Sequence, residues 1–436
     1  MKRDKLEDLK KWQKSKTRKP LVLSGARQVG KTWLLKEFGR QAYKNVAYIS
    51  CDNNTERLTT LFSLDVDTDR IIAGLEIMSG TKITAGDTLI ILDEIQEIPK
   101  AITALKYFCE NAPDYHIATS GSLLGLTMHQ KDSFPVGKVN SMTLYPLNFA
   151  EFLSATGKDD LRQLLDKPAT TKPFHQDFLN LLKTYFIVGG MPEVVQNYIE
   201  SGNMLETRKI QNEILSNYER DFSKHAPASV VPKINDIFQI IPKELTKENK
   251  KFIFGLIKTG ARAKEYETAL LWLENAGLVK RIFRVNSAKI PLVSYVDRGA
   301  FKLFFIDIGL LGAKADVPIE TLLDEQTLFT EFKGAMTEQY VAQEFTTAGV
   351  STFYYSRDDS RGEIDFMINH GTQNIPVEVK SGRSLQSKAL NAFLVNNPKV
   401  NSAIKFSMLE FAKNNTIINA PLYDTDIDAL LKDQKA

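Results

Sequence analysis

The chain has 436 residues, of which 43% are hydrophobic and 25% charged, a globular composition in a chain too long for one ordinary core, so two to four domains are expected. No uninterrupted apolar stretch reaches membrane-spanning length and the N-terminus, MKRDKLEDLKKWQKSKTRK, is charged throughout, so a cytoplasmic protein without membrane contact is expected. Two cysteines, Cys51 and Cys109, exclude a disulfide framework or a cysteine metal site, and a formal net charge of +3 is too small to imply nucleic acid by itself.

The basic N-terminal stretch reads as a binding arm or, more simply, as a solvated helix face. Next, PLVLSG reads as a buried strand and KTWLLKEFG as a helix with apolar residues at helical spacing. Between them Gly25, four residues, Gly30, Lys31 and Thr32 satisfy the Walker A pattern. A polyphosphate needs several inward-pointing backbone N–H groups, and glycines let the backbone turn and approach without a Cβ in the way. The expected nucleotide loop is therefore Gly25, Ala26, Arg27, Gln28, Val29, Gly30, Lys31 and Thr32. Lys31 would supply a point charge for the β- and γ-phosphates and Thr32 a hydroxyl ligand for Mg²⁺, with the positive helix end aimed at the same anion.

Residues 88–94, TLIILDE, supply the matching second strand. The run is too apolar for an edge strand, which puts its acids at the carboxyl end of a central parallel strand, where such folds bind ligands. Asp93 would hold Mg²⁺, directly or through water, and Glu94 would polarise the attacking water. An acid pair after a strand also caps helices in proteins without this chemistry. The segment YHIATSGSLLGL, residues 115–126, reads as a third buried strand ending at Ser120, Gly121 and Ser122. A polar Ser120 there would lie between the two Walker elements and sense the γ-phosphate, unless Ser-Gly is only a turn. Strands alternating with helices over residues 20–145 imply a right-handed, mostly parallel, three-layer α/β sheet.

Residues 155–230 are helix-rich, with LLKTYFIVGG and QNEILSNYERDF showing core-face periodicity. VGGMPEVV reads as a loop opening a helix, with proline near its first turn. From about residue 232, PKINDIFQIIPKEL, NKKFIFGLIKTG and AKEYETALLWLENAGLVKRIFRV suggest three helices followed by a strand alternating apolar and basic residues, the winged-helix arrangement. Lys258, Arg262, Lys264, Lys280, Arg281 and Arg284 give it a basic cast suited to phosphate contacts. Basic residues alone specify nothing, and such units also transmit motion or bind protein.

In the tail, GEIDFMI (362–368), a turn at NHGTQN and IPVEVKSG (375–382) place Asp365, Glu378 and Lys380 on adjoining strands, the last two on one strand face. The helix GAMTEQYVAQEF adds Glu338. This set resembles the PD-(D/E)xK nuclease-like fold of restriction and repair enzymes. The resemblance implies Asp365 and Glu378 as ligands of Mg²⁺ or Mn²⁺, Glu338 as an auxiliary ligand and Lys380 as the partner of the attacking water. Glu363 is a spare acid on the same face as Asp365, and alternating charges that merely pair as salt bridges are the competing reading. His370 is expected to be a turn residue.

Taken in order, SGARQVGKTWLL, ILDEIQEIP, TSGSLLGL, LYPLNFAEFL and VGGMPEVV resemble a large prokaryotic family of AAA-type ATPases, grouped with the archaeal-type ATPases, that carry a C-terminal domain called DUF4143. The resemblance spans nearly the whole chain. It implies an ATP-binding and hydrolysing core akin to the signal-transduction ATPases, with Gly189, Gly190, Met191, Pro192 and Glu193 in a helical lid near the nucleotide. Lys138, after Gly137, stands where relatives carry arginine; it keeps the charge and loses the planar fork, leaving Arg27, Arg220 and Arg298 as alternative arginine fingers.

The expected fold class is α/β: a P-loop three-layer αβα ATPase core (1–154), a helical lid (155–230), a winged-helix unit (231–300) and a restriction-endonuclease-like α/β domain (301–436). The expected function is an ATPase whose nucleotide state gates a nuclease-like module acting on DNA. The alternatives are a switch whose tail only binds nucleic acid or a partner protein, and a chaperone-like remodeller; a homo-oligomer is compatible with each.

Overall fold

The structure, a computed structural model, describes residues 1–122, 134–247, 251–319, 330–357, 362–382, 387–414 and 416–432. One unit comprises Lys2–Tyr145 with Asn275–Gly277, the other Pro146–Glu274 and Leu278–Ala436.

The first unit is built on strands β1 (Leu21–Ser24), β2 (Asn45–Ser50), β3 (Thr88–Asp93), β4 (His116–Ser120) and β5 (Asn140–Thr143). All pair in parallel, in the order β2-β3-β4-β1-β5. Every residue of β3 is buried, as its unbroken apolar run requires of a strand covered on both faces. The intervening helices Lys31–Ala42, Thr55–Leu64, Thr68–Ser79 and Pro99–Asn111 each carry an apolar stripe. Phe62, Leu75, Leu105 and Phe108 from three of them pack with Ile49 and Leu92 of the sheet. Asp67 caps one of them, its carboxylate accepting from the N–H groups of Asp69 and Arg70. Leu123–Leu126, part of the third expected strand segment, lie outside the described residues.

The basic N-terminus is a helix, Lys5–Lys14, with Glu7 and Lys11 on a solvated face and a second, docked face opposite. Leu9 and Trp12, three residues apart, share one face and are buried, and the Trp12 indole donates to the Lys19 carbonyl at 2.9 Å.

In the second unit the strands are β6 (Val279–Val285), β7 (Val296–Phe305), β8 (Thr352–Ser356), β9 (Glu363–His370), β10 (Gln373–Val379), β11 (Ala403–Ser407), β12 (Ala412–Asn414) and β13 (Ile417–Pro421). They form one eight-stranded sheet, β12-β13-β11-β10-β9-β8-β6-β7. The expected wing is the antiparallel pair β6 and β7, but it does not stand alone. Its free edge pairs with β8 through Arg284↔Tyr354 and Val285↔Tyr355, so the expected boundary at residue 300 falls inside β7. An unpaired strand edge is a liability that a neighbouring strand removes, and the sequence pattern of one hairpin cannot reveal which strand will do so. His370 is the last residue of β9 and not a turn residue; its Nε2 lies 2.7 Å from Asp428.

A buried polar network joins three segments of this unit that are far apart in sequence. Gly190 donates its N–H to Asp307 (2.6 Å) and accepts from Leu147 N–H (2.7 Å). Neither Gly189 nor Gly190 has space for a side chain: a Cβ would strike the Asp307 carboxylate at the first and the Leu147 carbonyl at the second. Tyr185 donates to that carbonyl and accepts from the Gln343 amide at 2.7 Å, while Gln343 accepts from Ile308 N–H at 2.8 Å. Gln339 bonds both the N–H and the carbonyl of Phe305, each at 2.8 Å, and Glu344 accepts from Phe149 N–H at 3.1 Å. The helix Thr330–Thr347 thus bonds to Phe149, Tyr185, Phe305 and Ile308.

Candidate functional site

The loop after β1 has the backbone that a phosphate cradle demands. Gly25 adopts φ 151, and a Cβ on it would collide with the Leu144 carbonyl. Gln28 (φ 65) and Gly30 (φ 91) are also left-handed, and the helix begins at Lys31. Lys31 is buried, its Nζ donating to the carbonyls of Gly25 (3.1 Å) and Ala26 (2.8 Å). Burial lowers its pKa, opposed by the nearby Glu94 and Asp93 carboxylates. Arg27 is half-buried and Gln28 exposed, while Val29 packs inside. From the N-terminal segment, the buried Arg3 donates to Val29 O at 3.1 Å and to Tyr145 O at 2.6 Å, bracing the loop from behind. The sequence reading overlooked Arg3, which looks like one more charge in a charged stretch.

Asp93, at the carboxyl end of β3, gathers hydroxyl groups. Thr32 Oγ1 donates to its two oxygens at 3.0 and 2.9 Å, Tyr48 OH to Oδ2 at 2.9 Å, and Ser120 to Oδ1. The order β3-β4-β1 sets Ser120 between the strand that ends at Asp93 and the strand that enters the phosphate loop. Tyr48 was also missed; burial first, then the Asp93 carboxylate, raises its pKa and holds the phenol as a donor. Glu94 occupies a left-handed backbone position, φ 55, that costs a non-glycine residue energy. Its N–H donates to Ser120 Oγ at 3.3 Å and its carboxylate accepts from the Gln96 amide. Thr32, Asp93 and Ser120 make an all-oxygen donor group, and hard oxygen ligands suit Mg²⁺. Lys138 is paired with Glu110 at 2.8 Å; Arg220 and Arg298 are exposed.

At the second expected centre the acids lie against lysines. Among the described residues no group of three or more His, Cys, Asp or Glu side chains is placed to hold a metal ion. Asp365 accepts from Val379 N–H at 2.8 Å. Glu378, almost fully buried, pairs with Lys380 Nζ at 2.6 Å and accepts from Ser387. Glu338 and Glu363 both face Lys302, at 3.6 and 2.6 Å, a lysine of β7 with no exposed surface. The carboxylates of Glu363 and Glu338 thus lie against the Lys302 ammonium, and that of Glu378 against Lys380. The alternating charges pair as salt bridges.

The basic surface of the wing is smaller than expected. Arg281 is spent on Glu274 (2.6 Å) and Glu267 (2.9 Å), and Arg284 on Asp297 (2.7 Å). Lys258, Arg262, Lys264 and Lys280 remain exposed.

Against known families, residues 17–153 match an AAA domain, residues 179–320 a domain of unknown function (DUF8612) and residues 333–423 another (DUF4143). No curated protein matches. Among solved structures the chain is similar to a Walker-type ATPase of Pyrococcus abyssi, at 13% identity, 71% of this chain and 95% of that one, with TM-score 0.45. It is also similar to the Aeropyrum pernix Orc1 protein in complex with DNA, at 13% identity, 73% and 92%, TM-score 0.28. A third is the Thermotoga maritima RuvB branch-migration motor, at 14% identity, 64% and 87%, TM-score 0.26. Among the described residues no helix is long and apolar enough to cross a membrane.

Proposed function

We propose that the chain is a Mg²⁺-dependent ATPase that works as a nucleotide-driven switch, its C-terminal module binding a nucleic-acid partner and not cutting it. The observation that carries the ATPase is the meeting of Thr32, Ser120 and Asp93 beneath a loop held open by Gly25. Bound there, Mg²⁺ would offset charge on the phosphate oxygens. Lys31 would leave the carbonyls of Gly25 and Ala26, internal acceptors that hold it ready, for the phosphates. Asp93 fixes the Thr32 hydroxyl, and Tyr48 orients Asp93. Glu94 acts on the attacking water, aimed by its left-handed backbone and by Gln96. The observation against cutting by the tail is Lys302 among the acids, and the exposed Lys258, Arg262, Lys264 and Lys280 of the preceding winged-helix segment offer phosphate contacts.

The test combines nucleotide binding, turnover and DNA anisotropy. Lys31→Ala should abolish ATP binding; Glu94→Gln should bind ATP and hydrolyse it about 10²-fold or more slowly. Unchanged ATP affinity in Lys31→Ala would remove the cradle. DNA affinity should differ between the ATP and ADP states and fall with salt; the same affinity in both states would sink the switch.

A further inference from the structure

We propose that Lys302 is a permanent internal cation of the C-terminal module, standing where an acid-rich site of this kind would take a divalent ion, so that Glu338, Glu363, Asp365 and Glu378 bind no metal. This deepens, and rests on, the reading of the module as one that binds without cutting.

The geometry is that of a charge lattice. Lys302 reaches in from β7 with no exposed surface, its Nζ 2.6 Å from Glu363 Oε1 and 3.6 Å from Glu338 Oε2, and 5.0 Å from the centre of the Tyr354 ring. Glu363 and Glu338 supply the opposite charges that an ammonium with no exposed surface requires. Beside it, Lys380 Nζ sits 2.6 Å from Glu378 Oε1, and Ser387 donates to the other oxygen of that carboxylate. Asp365 is committed to the backbone N–H of Val379. Lys405, of the strand next to β10, lies within the field of Glu378. The four carboxylates thus face the three ammonium groups of Lys302, Lys380 and Lys405.

A divalent ion needs about six oxygen ligands, most of them here already engaged. It would also have to settle beside the Lys302 ammonium, whose like charge repels it. A metal could enter only if Lys302 left, and Lys302 cannot leave without unpairing Glu363 and the buried Glu338.

The experiment is Mn²⁺ titration of the nucleotide-free full chain, read by electron paramagnetic resonance of free Mn²⁺. It compares wild type, Asp365→Asn, Lys302→Ala and the Lys302→Ala, Asp365→Asn double variant. Wild type and Asp365→Asn should take up Mn²⁺ equally. Lys302→Ala should gain one site at least tenfold tighter than any in wild type, and the double variant should lose it. A wild-type site that Asp365→Asn abolishes overturns the proposal, as does a folded Lys302→Ala chain that gains nothing. If Lys302→Ala does not fold, the first pair of proteins still decides. Plasmid incubated in the same samples separates the two readings. Mn²⁺ at the acids without cleavage defeats only the internal cation, whereas cleavage lost in Asp365→Asn defeats the binding role as well. Failure to bind nucleic acid, with no Mn²⁺ at the acids, defeats the binding role alone.

Discussion

Glu344 makes the stability of the second unit depend on pH in a direction opposite to that of most carboxylates. It is almost fully buried on the helix Thr330–Thr347, where it accepts from Phe149 N–H at 3.1 Å and from the Thr425 hydroxyl at 3.4 Å. Burial, resisted by the Phe149 N–H and reinforced by Glu151, raises its pKa from 4.5 to about 8. The folded chain therefore holds a proton between these values that the unfolded chain has released, so stability is lost as pH rises through that window. At roughly 1.4 kcal/mol per pKa unit the full loss is on the order of 4–5 kcal/mol, nearly complete by pH 9 and nearly absent at pH 4. Glu344→Gln removes the titration and keeps an oxygen for Phe149 N–H. In urea unfolding followed at both pH values, the variant should gain on wild type by a few kcal/mol between pH 5 and pH 9. With m on the order of 3 kcal/mol/M, that is a midpoint shift of about 1 M. The same difference between the two proteins at both pH values, or a variant that loses ground at pH 9, would refute the reasoning.

Two further predictions concern residues that touch no phosphate. Arg3→Met keeps the apolar stem and removes the bonds to Val29 O and Tyr145 O, so the phosphate loop should loosen and fluorescent-nucleotide affinity fall about tenfold; equal affinity would show that the loop needs no brace. Gly190→Ala would drive a Cβ into the Leu147 backbone and should cost about 3 kcal/mol or more, read as a lowered melting temperature, whereas an unchanged melt would mean that the VGGMP loop yields easily.

The parallel sheet was legible chiefly from TLIILD, the apolar run that a strand covered on both faces requires; HIATS is buried throughout despite its polar residues, and each strand ends on the polar residue that meets the other. The Walker residues were legible for the same reason that they recur: phosphate chemistry fixes both type and spacing. Tyr48 and Arg3 escaped because they act across the fold, from a strand end and a charged tail that carry no spacing signal. Lys302 had a signal that was passed over, since a lysine inside the apolar run AFKLFF must find a buried anion or leave the run. Acid-x-lysine spacing fixes which side chains share a face, and it says nothing of the lysine that β7 brings against the neighbouring acids.

The boundary between the two matched regions, 179–320 and 333–423, has no counterpart in the sheet. Strands β6 and β7 come from the first region and β8 onwards from the second, yet they form one hydrogen-bonded surface. Phe304 of one packs at a tilt against Phe366 of the other with ring centres 5.7 Å apart, and Gln339 holds Phe305. A cut between the two regions would therefore strip β8 of its partner β6 and leave an unpaired strand edge. A gene fragment beginning near residue 333 would encode strands without their neighbours and an unbalanced set of acids without Lys302, a product fitted for aggregation or for chaperone capture rather than for independent life as a module.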